Sequence, residues 1–176
     1  MKNIIQLEVS DILCFEGDAI VNPANRSLLR GSGLCGAIYQ AAGTQELLAA
    51  CLELGGCESG DAKTTAAFRL PAKWIIHTAV PSWHRHTPSE SHALLRKSYQ
   101  AIFREAGKYK MQRIAIPAIG TGINGFPSDI AAQISAQEVT AGVHANPTLT
   151  EVRLIFSEIG KYKLSCQVFN TELLEG

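Results

Sequence analysis

Ala19-Ile20-Val21-Asn22-Pro23-Ala24-Asn25-Arg26-Ser27-Leu28-Leu29-Arg30-Gly31-Ser32-Gly33-Leu34-Cys35-Gly36 is one of two stretches that decide how this chain is read. The other is Ile114-Ala115-Ile116-Pro117-Ala118-Ile119-Gly120-Thr121-Gly122-Ile123-Asn124-Gly125-Phe126-Pro127. Each is a short apolar strand that runs into a cluster of glycines. Glycine lets backbone N–H groups come close to a ligand, and loops of this kind commonly cradle phosphates. Two of them in one small chain point to a clamp around a diphosphate.

Working outward, short apolar strands alternate with helical patterns. Strands are expected at Ile4–Val9, Asp18–Asn22, Lys63–Phe68, Trp74–Ala79, Arg113–Pro117 and Val152–Phe156, where β-branched and apolar residues gather. Helices are expected over Gly33–Ala42, with Gly43 as a stop, and over Gln45–Leu54, ended by Gly55-Gly56. Leu94, Leu95, Tyr99, Ile102 and Phe103 share one face of a long helix from Ser89, its expected N-cap, to Lys108. Further helices are expected from Pro127 or Ser128 to Gly142, and within Lys161–Leu173. Alternation of this kind predicts a three-layer α/β/α sandwich around a mixed, mostly parallel central sheet. No repeat or linker divides the chain, so residues 1–176 are expected to form a single domain. In such sheets ligands sit beyond the carboxyl ends of the strands, where both glycine loops lie.

Hydrophobic residues make up 46% and charged residues 18%, a globular composition. With 16 basic and 16 acidic side chains the net charge is +0. That balance argues against a nucleic-acid partner, which usually calls for a basic excess. An anion would then be held by local geometry and backbone dipoles. Cys14, Cys35, Cys51, Cys57 and Cys166 are odd in number and contain no C-x-x-C pair, which speaks for free thiols in a reducing compartment. No signal-peptide core and no run long enough to span a membrane occurs, so a cytoplasmic protein is expected. The sequence leaves the oligomeric state open.

Other chemistries are weaker. Gly31-Ser32-Gly33-Leu34-Cys35-Gly36 satisfies G-x-G-x-x-G, but its strand ends too early for a dinucleotide fold. A helix N-terminus behind such a loop still favours a phosphate. His84, His86 and His92 lack a carboxylate or cysteine at metal-binding spacing, so neither a metal nor a cofactor is expected. His77, inside an apolar strand, reads as a core histidine. Cys35 sits near a helix N-terminus, where a thiol can become reactive. Packing or ligand contact accounts for it better than a nucleophilic role.

Four segments in order carry a resemblance. Asp18-Ala19-Ile20-Val21-Asn22-Pro23-Ala24-Asn25, Gly31 to Gly43, Gly60-Asp61-Ala62-Lys63-Thr64 with Leu70-Pro71-Ala72-Lys73-Trp74-Ile75-Ile76-His77-Thr78, and Ile116 to Pro127 together resemble the macro domain family over nearly the whole chain. The resemblance implies ADP-ribose, or an ADP-ribosylated protein, as the partner. It implies that Asp11 accepts from the adenine amino group with Ile12 beside it. Phe156 would either stack on adenine or close the core. One side of the diphosphate would lie on Gly31, Ser32, Gly33 and Leu34, with Ser32 replacing a usual glycine. The other side would lie on Gly120, Thr121, Gly122, Ile123 and Asn124. Gly125 and Phe126 would line the distal ribose, and Asn25 would hydrogen-bond it.

The chain departs from the resemblance at one position. Hydrolytic members of the MacroD-like branch carry an aspartate just after the glycines, where this chain has Cys35. A thiol replaces a carboxylate poorly as acceptor for an attacking water, and losing a general base typically costs about 10²–10⁴-fold. The activity implied is release of ADP-ribose from acidic side chains, or deacetylation of O-acetyl-ADP-ribose, by water at the distal ribose. The alternative is a module that reads ADP-ribose without cleaving it.

Overall fold

The computed structural model describes residues 4–175. Six strands, β1 (Ile5–Val9), β2 (Ala19–Ala24), β3 (Ala62–Ala66), β4 (Trp74–Ala79), β5 (Arg113–Pro117) and β6 (Glu151–Phe156), form one sheet in the order β1-β6-β5-β2-β4-β3. All neighbouring pairs are parallel except β3 with β4. The expected three-layer sandwich with a mixed, mostly parallel sheet is therefore the observed fold.

Five helices cover the sheet: α1 (Gly33–Ala42), α2 (Thr44–Leu54), α3 (Pro88–Lys108), α4 (Ser128–Ala145) and α5 (Ile159–Glu175). Strand alternation sends Ala19, Val21, Ile76, Ile114, Ile116, Val152 and Leu154 to one face, where they pack against α3, α4 and α5. Ile20, Ala24, Ile75 and Ala115 face the other way, against Ile38 and Tyr39 of α1 and Leu47 and Cys51 of α2. Among the described residues no helix is long and apolar enough to cross a membrane.

Several helix ends differ from expectation, α5 running beyond Lys161–Leu173 at both ends, and two have a clear physical reason. Thr87, not Ser89, caps α3: its side chain accepts from the Glu90 amide while the Glu90 carboxylate accepts from the Thr87 amide at 2.9 Å. With Pro88 at the first helical position, this reciprocal box fixes the start earlier than Ser89 alone would. On α4, Gly142 is not a stop. A Cβ there would overlap the Phe103 ring of α3. The glycine lets two helices approach, and the helix continues to Ala145.

β2 and β5 pair only at Ala19–Ile114 and Ile20–Ala115. Beyond those residues the two central strands carry Pro23 and Pro117.

Candidate functional site

A cleft of about 670 Å³ opens beyond the carboxyl ends of β2, β5, β6 and β1. Its walls bring together Asp11, Ile12, Ser32, Gly33, Leu34, Cys35, Gly120, Thr121, Gly122, Ile123, Asn124 and Phe156. Both glycine loops thus face one space, as their positions after parallel strands require.

The first loop ends at the N-terminus of α1. Ser32 stands at the N-cap but makes no capping bond with its side chain, and the first turn holds no acid. Among the described residues the first amides of the helix therefore lack both intrahelical and side-chain partners, an arrangement that favours an anion. Gly33 adopts φ +56° with nothing within 4 Å of where a Cβ would stand. Its open side faces the cleft.

The second loop is tied at several points. Phe126 N–H donates to Gly120 O at 3.0 Å, Gly125 N–H to Gly122 O at 3.0 Å, and Trp83 N–H to Asn124 O at 2.8 Å. The Thr121 hydroxyl donates to Ala118 O at 3.1 Å. Among the described residues, the amides of Thr121, Gly122, Ile123 and Asn124 have no backbone acceptor. Gly120 needs its φ of +86° to turn the chain against the Phe126 ring. Ile123 is 87% exposed at the cleft edge.

At the far end, Asp11 caps the short 3₁₀ turn Ile12–Cys14. One carboxylate oxygen accepts from Leu13 N–H at 2.9 Å, and the other lies 4.0 Å from the Cys14 thiol. The turn fixes the carboxylate's direction while leaving that second oxygen weakly engaged. Phe156 is 5% exposed and meets Tyr162 edge-on at 6.0 Å. It belongs to the core and to the cleft wall at once.

Cys35 is 5% exposed. Its sulfur accepts from the Asn22 side-chain amide at 3.7 Å, and its S–H donates to Leu29 O at 3.9 Å. The same Asn22 amide donates to His77 Nδ1 at 3.0 Å. That leaves the His77 proton on Nε2, which faces the Thr65 hydroxyl at 2.9 Å and Cys51 Sγ at 3.9 Å. His77 is wholly buried, and burial pushes its pKa down to about 4. It is the core histidine that the apolar strand implied. Burial likewise raises the Cys51 thiol.

Asn25, Gly31, Gly125 and Phe126 are not among the residues that line the cleft. Asn25 closes its own loop: its side-chain oxygen accepts from Ser27 Oγ at 2.7 Å and Leu29 N–H at 3.1 Å, and its amide donates to Leu29 O at 2.8 Å. Gly31 sits between Asn25 and Cys35. Phe126 lies behind the second loop, its ring 5.3 Å from that of Trp83. Of the three histidines, His92 lies within α3 and not in the loop, where it stacks on Trp83 at 5.7 Å, and His84 packs at Gly125. Among the described residues no three side chains of His, Cys, Asp or Glu converge as a metal set.

Sequence reasoning missed the cleft residues Val9, Ser10, Ser157, Glu158 and Lys161. They lie at or just beyond the ends of β1 and β6. The rule that ligands sit beyond strand carboxyl ends was the one signal that reached them.

Comparison with known proteins gives the family. The family model described as Macro domain matches residues 21–135. A macro domain-containing protein of Methanosarcina mazei is 42% identical over 158 residues, covering 86% of this chain and 83% of its own. A protein of Pantoea vagans named O-acetyl-ADP-ribose deacetylase 1 is 38% identical, covering 97% of this chain and 100% of its own. Among solved structures, a glycine-to-valine mutant of the Oceanobacillus iheyensis macrodomain with ADPR superimposes with a TM-score of 0.87. It is 33% identical, with 98% of this chain and 93% of that one covered. The chain belongs to the macro domain family.

Proposed function

We propose that this macro domain binds ADP-ribose and hydrolyses the ester that joins it to acidic side chains or to an acetyl group. One observation carries the reading: two glycine loops with unused amides face a single cleft, and an oriented carboxylate stands at its end. Free amides suit a diphosphate. The second oxygen of Asp11 suits an adenine amino group. Phe156 and Ile12 offer the apolar surface for the base, and the loops hold the diphosphate so that the distal ribose is presented in one pose. The names of its relatives support the ligand and the reaction class.

Water would attack at the distal ribose, aligned by the substrate's phosphate and by the Asn25 loop. The five free cysteines support action in a reducing compartment, the cytoplasm. A second reading, recognition without cleavage, is favoured by Cys35, whose thiol is already committed to Asn22 and the Leu29 carbonyl.

A time course of ADP-ribose release from a protein mono-ADP-ribosylated on glutamate separates the two. Release by the wild type that drops sharply in Asn25→Ala is the expected result. Tight ADP-ribose binding with no release would leave the recognition module.

A further inference from the structure

Lys161 stands in the first turn of α5 and lines the cleft. Its Nζ donates to Thr121 O at 3.3 Å and to Glu158 Oε1 at 2.7 Å, and its side chain is 24% exposed. Among the described residues lining the cleft it is the one basic side chain, beside two carboxylates, Asp11 and Glu158. It also lies outside residues 21–135, the part matched by the family model.

Two physical consequences follow from this position. No peptide in the described chain is cis, so the Gly122 N–H points opposite to the Thr121 carbonyl that Lys161 holds. Pinning the carbonyl therefore fixes the direction of a cleft amide that has no backbone acceptor of its own. The ammonium also has three protons, of which two are used. Its charge offsets Glu158, which would otherwise repel an anion entering beside it.

We propose that Lys161 is a positioning residue that sets the cleft's preference for a diphosphate over an uncharged nucleoside. It does so by holding the Thr121–Gly122 peptide in its anion-binding orientation and by supplying the cleft's positive charge. This inference rests on the reading of the cleft as an ADP-ribose site. It accounts for how a neutral chain with two acids in its cleft accepts a dianion.

The test is a titration of wild type, Lys161→Met and Lys161→Arg with ADP-ribose and, separately, with adenosine, followed by calorimetry and NMR. Lys161→Met is expected to weaken ADP-ribose about tenfold, the lower end for a charge-assisted hydrogen bond. Its adenosine affinity should stay at the wild-type value. Lys161→Arg should restore most of the ADP-ribose affinity. ADP-ribose binding unchanged in Lys161→Met overturns the inference, as does an equal loss for adenosine, which would mark general damage to the cleft. Failure of the wild type to bind ADP-ribose at all would instead overturn the proposed function.

Discussion

Asn25 and Cys35 donate to the same atom: the Asn25 amide reaches the Leu29 carbonyl oxygen at 2.8 Å and the Cys35 thiol reaches it at 3.9 Å. The loop that leads to the glycines and the first turn of α1 are thereby joined through one acceptor. Groups that share a partner do not contribute independently. Asn25→Ala and Cys35→Ala are expected to destabilise the domain less together than the sum of the two alone, by about 0.5–1 kcal/mol. Urea denaturation of the four proteins of the cycle measures this coupling, and strict additivity would show that the shared carbonyl does not connect them.

Asp11 has two separable duties, capping its turn and presenting an oxygen to the cleft. Asp11→Ala is expected to weaken ADP-ribose by about 1.5–3 kcal/mol. Asp11→Asn keeps an oxygen for the Leu13 amide but turns a donor toward the adenine amine. It should therefore show a comparable binding loss with an unchanged melting temperature. Full affinity in Asp11→Asn would remove Asp11 from adenine recognition.

Gly33 is open to the cleft and left-handed. Gly33→Val should abolish diphosphate binding because the added side chain fills the space between the loops. The backbone strain should cost about 1–2 kcal/mol, without unfolding the domain. Calorimetric titration beside a thermal melt checks both parts. Normal binding by a folded Gly33→Val would mean that the diphosphate lies elsewhere.

Burial keeps His77 neutral, with a pKa of about 4 against 6.5 for the free side chain. Between those values the unfolded chain binds the extra proton, so stability rises with pH across this window and is complete above it. The span corresponds to about 3 kcal/mol lost as pH falls from 6.5 toward 4. Asp18, Asp61 and Glu151, lowered by the partners that outweigh their partial burial, lose their contributions as pH falls from their ordinary carboxylate values downward, so Glu151 adds to the slope at the acid end of this window. Urea melts at a series of pH values should show the slope in wild type and lose it in His77→Gln. An equal slope in both would assign it to other groups.

Much of the fold was legible because its punctuation is local. Gly43 and Gly55-Gly56 end helices where they stand, and Trp74–Ala79 and Arg113–Pro117 are strands at the residues their apolar runs predicted. Gly142 was misread because its role is set by Phe103 on another helix, which no local pattern contains. Thr87 was overlooked in favour of Ser89 because the deciding partner, Glu90, lies three residues further on. In the site, the positions of the glycine loops after parallel strands were enough to bring them to one cleft with Asp11. Lys161 was not legible in this way, because its meaning comes from a carbonyl 40 residues away in sequence. Asn25 was read as a ligand contact, whereas every hydrogen bond it makes among the described residues ties its own loop.

The short register between β2 and β5 has a structural consequence for the cleft itself. After Ile20 and Ala115 the ladder stops, and each strand then presents a proline with no N–H to give. The seam down the middle of the sheet is left unzipped at its upper end, and Pro23 and Pro117 both border the resulting gap. The site is in this sense a parting in the sheet, opened where the β2–β5 ladder ends.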